Sequence, residues 1–144
     1  METIINKKQA SEYLNIPEDK IFNFYRFENE DWEYEDLIGY YHLYRKIDGY
    51  YIELTDEIEA EFVFSYENGD WGYEDIDGYE HLFRKIDNRY IELTKNIDTI
   101  YVLSFNNGYW LYEDGNGLYH LYNEYNEFVG KYNDVDDIKI NLNK

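Results

Sequence analysis

The sequence predicts a mainly β chain of three tandem, four-stranded antiparallel repeats preceded by a short helical cap. The first observation behind this is periodicity: Trp32, Trp71 and Trp110 stand 39 residues apart, as do His42, His81 and His120. The second is the string common to the three copies, W-x-Y-E-D-x-x-G-x-x-H-L-[YF], which is kept without a gap. Such self-similarity marks a repeated structural unit. The third is that each copy breaks into short β-favouring runs separated by Asn-Gly, Asp-Gly or Asp-Asn dipeptides.

The second copy shows the pattern most cleanly. Residues 61–66 (EFVFSY) alternate, with Phe62, Phe64 and Tyr66 on one face. Asn68-Gly69 then suits the positive φ angles of a type I′ hairpin. Residues 70–75 (DWGYED) put Trp71 and Tyr73 on one side, and Asp77-Gly78 makes the next turn. Residues 80–86 (EHLFRKI) form a third strand, and Asp87-Asn88 turns it into residues 89–94 (RYIELT). Asp48-Gly49, Asn107-Gly108 and Asn116-Gly117 repeat this turn chemistry, so about a dozen strands are expected in all. The boundaries are a cap at 1–21, repeats at 22–60, 61–99 and 100–138, and a closing strand or tail at 139–144. From the last residue of the third repeat into that tail, Ile138, Ile140 and Leu142 alternate with polar residues. The pattern fits a meander, a trefoil-like unit or a propeller-like blade, and it leaves the mode of closure open.

Ahead of the repeats, Asn6 and Gln9 have capping-box spacing, and residues 7–14 can form two turns of helix. Pro17 can open a second short helix, with Glu18 and Asp19 near its positive end. The stretch KKQASEYLNIPEDKIFNFY, with Ala10, Leu14, Ile16 and Ile21 at the apolar positions, resembles the helix-turn-helix start of excisionase-like and MerR-like proteins. That resemblance implies DNA binding through the second helix. The acidic Glu18 and Asp19 suit phosphate poorly, and residues 22–27 (FNFYRF) align with the strand at 61–66. The strand is therefore expected there, with the helix as a cap on one end of the β array.

Composition narrows the function. The 144 residues include 19 Tyr, 8 Phe and 3 Trp, side chains that suit half-exposed sheets and contact surfaces. Thirty-two Asp+Glu against 13 Lys+Arg leave a net charge of −19, which disfavours direct binding to nucleic acid or an anionic membrane. No cysteine is present, so neither a disulfide nor a thiolate site can form. The N-terminus lacks the apolar run of a signal peptide, no stretch is long and apolar enough to span a membrane, and the Ile, Asn, Lys and Tyr bias suggests an AT-rich genome. A bacterial cytoplasm is the expected setting.

Candidates for chemistry are few. The three histidines are the best metal set by type, although duplication alone explains their recurrence; a packing or hydrogen-bonding role is expected, and no metal or cofactor. The pairs Glu35-Asp36, Glu74-Asp75 and Glu113-Asp114 point to opposite faces of a strand, so they do not form two-carboxylate catalytic sites. Ser11, Ser65 and Ser104 are the only serines, and none lies in a nucleophile-elbow setting. A non-enzymatic role follows.

What remains is an acidic, aromatic surface able to present a phosphate-like density of charge to the basic nucleic-acid-binding site of a protein or nuclease. The candidate contacts are Tyr109, Trp110, Tyr112, Glu113, Asp114, Glu124 and Glu127 in the third copy, with Glu74, Asp75, Glu35 and Asp36. The third copy is favoured because Asn123-Glu124 replaces Arg45-Lys46 and Arg84-Lys85 of the other two. In overall character the chain is similar to phage anti-defence proteins of the anti-CRISPR and anti-restriction kind, which implies a nucleic-acid-mimic inhibitor. An immunity protein against a basic toxin nuclease uses the same electrostatics, and a helix-turn-helix regulator is the alternative of another class.

Overall fold

A computed structural model describes residues 3–142. It contains twelve strands in three four-stranded antiparallel sheets, each a meander in chain order. The first sheet comprises β1 (Phe22–Arg26), β2 (Trp32–Glu35), β3 (Tyr41–Ile47) and β4 (Tyr50–Glu53). The second comprises β5 (Phe62–Ser65), β6 (Trp71–Glu74), β7 (Glu80–Ile86) and β8 (Arg89–Glu92). The third comprises β9 (Tyr101–Ser104), β10 (Trp110–Glu113), β11 (Tyr119–Tyr122) and β12 (Phe128–Tyr132). Each sheet draws its strands from one copy of the repeat. Each sheet by itself is a four-stranded meander, the form of a propeller blade. Two compact units emerge, Met1–Ser65 with Tyr73–Ile76, and Tyr66–Gly72 with Asp77–Lys144.

In the first unit the aromatic face of the sheet is buried beneath the cap. Trp32 stacks on Tyr44, its cross-strand partner, with ring centroids 4.3 Å apart and planes at 9°. Phe24 lies on Trp32 at 5.8 Å, and Tyr13 of helix α1 (Lys7–Leu14) meets it edge-on at 6.5 Å. Ala10, Leu14 and Ile16 complete this cluster. Asn6 caps α1 by accepting from the Gln9 amide, and Asn15 closes it in the left-handed region. The stretch expected as a second helix is a single 3-10 turn, Glu18–Lys20, and residues 22–26 are strand β1.

The same aromatic stacking recurs in the second unit, where Trp71 lies on Phe83 at 4.5 Å and 8°, and Trp110 on Tyr122 at 4.6 Å and 10°. The other face of the third sheet, with Leu111 and Leu121, is covered by Ile138 of helix α2 (Val135–Leu142). This helix replaces the expected closing strand; positions 143 and 144 of that expected segment lie outside the described residues. Ile138 and Leu142 alternate, but with Val135 they also fit helical i, i+3, i+7 spacing. Asp134 accepts from the Asp136 amide, and Asp136 and Asp137 occupy the first turn, where the helix dipole favours acid.

Turn types split in two. Asp48-Gly49 (φ 52° and 85°) and Asp87-Asn88 (φ 51° and 69°) form the expected type I′ hairpins. Asn68-Gly69, Asn107-Gly108 and Asn116-Gly117 differ, because only the glycine has positive φ. These are three-residue loops of a type I turn and a left-handed glycine, closed by pairs such as Gly69 N to Tyr66 O and Tyr66 N to Asp70 O. A side-chain oxygen braces each of these loops: Asn68 accepts from the Asp70 amide, Asn107 from the Tyr109 amide, and Asp114 from the amides of Asn116 and Leu118.

Candidate functional site

Two polar assemblies are built into the sheets, one around the histidine that recurs in every copy and one at the junctions between copies. The first is a histidine clamp. In copy 1 the Nε2 of His42 bonds Asp36 Oδ2 at 2.7 Å and its Nδ1 bonds Glu53 Oε2 at 2.8 Å. The other Asp36 oxygen accepts the amides of Ile38, Gly39 and Tyr40, so this one carboxylate closes the turn and holds the imidazole. Glu53 also accepts from Tyr44 Oη and Thr55 Oγ1, and the His42 ring stacks on Tyr34 at 4.9 Å. Burial alone would lower the His42 pKa, but its bonds to Glu53 and Asp36 outweigh burial and raise it above the ordinary value. The converse holds for both carboxyls: burial would raise them, and the His42 bond keeps each below its ordinary range.

Copy 2 repeats the Nδ1 contact, His81 to Glu92 at 2.8 Å, and copy 3 the Nε2 contact, His120 to Asp114 at 2.7 Å. Opposite His120 stands Lys131 rather than a glutamate, so the third clamp has lost its second arm. Each imidazole is thus held by carboxylates of its own sheet. Among the described residues no group of His, Asp and Glu is arranged to hold a metal ion.

The second assembly locks one copy to the next. Asp31 is buried and receives Arg45 Nε at 3.1 and 3.0 Å, Arg45 Nη2 at 2.8 Å, and Ser65 Oγ of the following copy at 2.6 Å. Asn29 Nδ2 donates to the same Ser65 oxygen at 2.7 Å. In the second unit Asp70 is held identically by Arg84 and by Ser104 Oγ at 2.6 Å, with Asn68 Nδ2 donating to Ser104 at 2.6 Å. Two of the three serines therefore serve these junctions, while Ser11 donates to the Ile16 carbonyl. In the third copy Tyr109 and Asn123 occupy the aspartate and arginine positions, so that copy carries no such pair. Arg45 and Arg84, whose replacement at 123 marked the third copy as the expected contact end, are thus junction residues.

The expected contact residues separate accordingly. Trp110 and Tyr112 are only 1% and 9% exposed, so neither is a surface contact; each packs its ring against its own sheet, and Trp110 donates to Asn126 Oδ1 at 2.9 Å. Asp36 and Asp114 are committed to imidazoles, and Glu35 accepts from Asn23 at 2.6 Å. Glu74, Asp75 and Glu113 are half-buried, as is Tyr109, which packs beside the α2 cluster. Glu124 and Glu127 alone of that set are exposed. Glu124 lines a cleft of about 370 Å³ with Ile86, Leu93, Lys85 and Tyr125. The cleft adjoins a difference in hairpin length, since β7 continues to Ile86 whereas β11 stops at Tyr122.

Sequence reasoning missed a second exposed region, in the first unit. The segment from β4 to β5 carries Asp56, Glu57, Glu59 and Glu61, all exposed. Beside it the β2–β3 turn presents Leu37 and Ile38 at 65% and 80% exposure. Tyr40 Oη donates to Glu59 Oε2 at 3.3 Å, and Tyr41 N donates to the Ala60 carbonyl at 2.9 Å, which ties turn and segment together. The run of acid was visible in the sequence, but its pairing with an apolar turn depends on contacts about 20 residues apart.

No family model, no curated protein and no solved structure matches this chain.

Proposed function

We propose that this chain is a non-enzymatic inhibitor that occupies the basic, nucleic-acid-binding surface of another protein. The observation that carries the reading is how charge is distributed between interior and surface. Arg45 and Arg84 are spent on the buried Asp31 and Asp70, and the histidines on Asp36, Glu92 and Asp114. Much of the remaining acid is displayed, including the exposed Asp56, Glu57, Glu61, Glu124 and Glu127. With −19 overall, such a surface repels polyanions and attracts a cationic groove, and long-range steering speeds the encounter. Among the described residues no helix is long and apolar enough to cross a membrane. The setting we favour is anti-defence, with a bacterial nuclease or a nucleic-acid-guided effector as the target.

The test is affinity capture from a low-GC bacterial lysate, followed by competition with DNA and with RNA. Capture of a nucleic-acid-binding protein that nucleic acid displaces, and that weakens steeply as salt rises, is the expected result. Capture indifferent to both nucleic acid and salt would refute mimicry. A toxin nuclease as the sole captured protein would reassign the chain to immunity.

A further inference from the structure

Because the three copies fold alike, they act as internal controls for what the fold requires. At the tip of the β2–β3 turn, copy 1 carries Leu37 and Ile38 where copy 2 has Ile76 and Asp77, and copy 3 has Gly115 and Asn116. The turn closes in the same way with either set, through Gly39 N to Asp36 O in copy 1 and Gly117 N to Asp114 O in copy 3. Two neighbouring aliphatic side chains at a solvated tip therefore do nothing for the turn. Polar residues serve it equally, and exposed apolar groups invite association.

The connecting segment gives the same result. Asp56, Glu57, Glu59 and Glu61 of copy 1 correspond to Lys95, Asn96, Asp98 and Ile100 of copy 2. That is four carboxylates and no cation, against one carboxylate and one ammonium. Both segments have the same backbone, with Ile58 N to Thr55 O at 2.9 Å matching Ile97 N to Thr94 O at 3.0 Å, and Tyr41 N to Ala60 O matching Glu80 N to Thr99 O. Glu57 and Asn96 both sit at φ 64°, a region asparagine tolerates better than glutamate. Acid is kept at position 57 against local conformational preference.

The aliphatic pair and the run of four carboxylates, neither of them complete at the places compared, are thus concentrated on one surface of the first unit. Tyr40 joins them through Glu59, and Tyr41 packs on the half-exposed Phe62 with centroids 5.6 Å apart. We propose that this surface is the docking site for the basic partner. It takes a segment that carries an aliphatic or aromatic side chain between Lys or Arg residues, the apolar group on Leu37 and Ile38 and the cations on Asp56, Glu57 and Glu59. Self-association is disfavoured, since a second copy brings the same acid to the contact. This inference rests on the acidic-inhibitor reading above.

The probes are a fluorescent amphipathic Leu/Lys peptide and an oligolysine of equal charge, titrated by anisotropy. Wild type binds the Leu/Lys peptide about tenfold more tightly than oligolysine, the scale set by partial burial of two aliphatic side chains. L37G/I38N, which installs the residues of copy 3, abolishes that preference and leaves oligolysine binding unchanged. D56K/E57N/E59D, which installs those of copy 2, weakens both peptides about tenfold and flattens the salt dependence. These substitutions already exist in folded copies of the same chain, and circular dichroism checks each variant. E124Q/E127Q removes two carboxylates from the third copy and tests that copy as the rival location. The location is overturned if the turn and segment variants bind like wild type, or if E124Q/E127Q carries the loss instead. If wild type binds neither peptide, the acidic-inhibitor reading falls as well.

Discussion

Glu33 lies in β2 between Trp32 and Tyr34, on the opposite face of the strand, directly across from the fully buried Leu43. It is itself only 6% exposed, and burial pushes its carboxyl from 4.5 up to about 7. Copies 2 and 3 have Gly72 and Leu111 at the same position, so the first sheet carries an ionisable group where its sisters carry none. A folded-state value above the unfolded one means that the folded chain holds the proton more tightly. Stability attached to the neutral acid is complete below about pH 4.5 and is lost as pH rises through 7. Over that interval, at about 1.4 kcal/mol per pH unit, the cost reaches roughly 3 kcal/mol. Glu33→Gln keeps the shape and removes the titration. Urea unfolding of both proteins should give near-equal stabilities at pH 4.5 and a variant more stable by roughly 3 kcal/mol at pH 8. Glu33→Leu, the choice of copy 3, should add a gain that does not depend on pH. A Gln-to-Glu difference that is the same at both pH values would refute the reasoning.

Other perturbations follow from the same geometry. Glu30 has φ 76° at the position filled by Gly69 and Gly108, so Glu30→Gly should raise the urea midpoint by about 1 kcal/mol of stability; no gain would mean the turn is unstrained. Ser65→Ala removes one bond to Asp31 and should cost about 1 kcal/mol, whereas Asp31→Ala strands the half-buried Arg45 and should cost about 3 to 5. Equal losses in thermal unfolding would argue against the junction as drawn. For the clamp, the His42 contribution is full below 6.5 and fades as pH rises through its raised value. The contributions of Glu53 and Asp36 are full above 4.5 and 3.8 and fade on acidification. The stability difference between wild type and His42→Phe should therefore peak between about pH 4.5 and 6.5, and a flat profile would remove the clamp.

The strands and their number were legible in the sequence, because a period of two and a period of 39 both leave direct marks; the Glu-Asp pairs, expected on opposite faces of a strand, instead divide between a strand's last residue and the turn that follows it. Turn type was not legible: Asn-Gly suits two turns, and the side-chain oxygens of Asn68, Asn107 and Asp114 that brace the three-residue loops leave no mark in the dipeptide itself. The last helix was hidden because Ile138 and Leu142 satisfy both periodicities over so short a span. The burial of Trp110 and Tyr112 could not be read either, since their rings suit a wet surface and a core equally. The junction locks were the deepest omission. Asp70 and Ser104 are 34 residues apart, and nothing in their spacing distinguishes a socket from a solvated pair.

The locks make the array a chain of plugs and sockets. Copies 1 and 2 each carry an Asp–Arg plug, copies 2 and 3 each carry a serine socket, and only the middle copy has both. A gene that stuttered within the middle copy would yield a longer protein with every junction satisfied. One that added a unit after the third would leave a serine facing a tyrosine and an asparagine. The locks therefore accommodate a unit repeated inside the array and leave one appended after the third without an Asp–Arg partner.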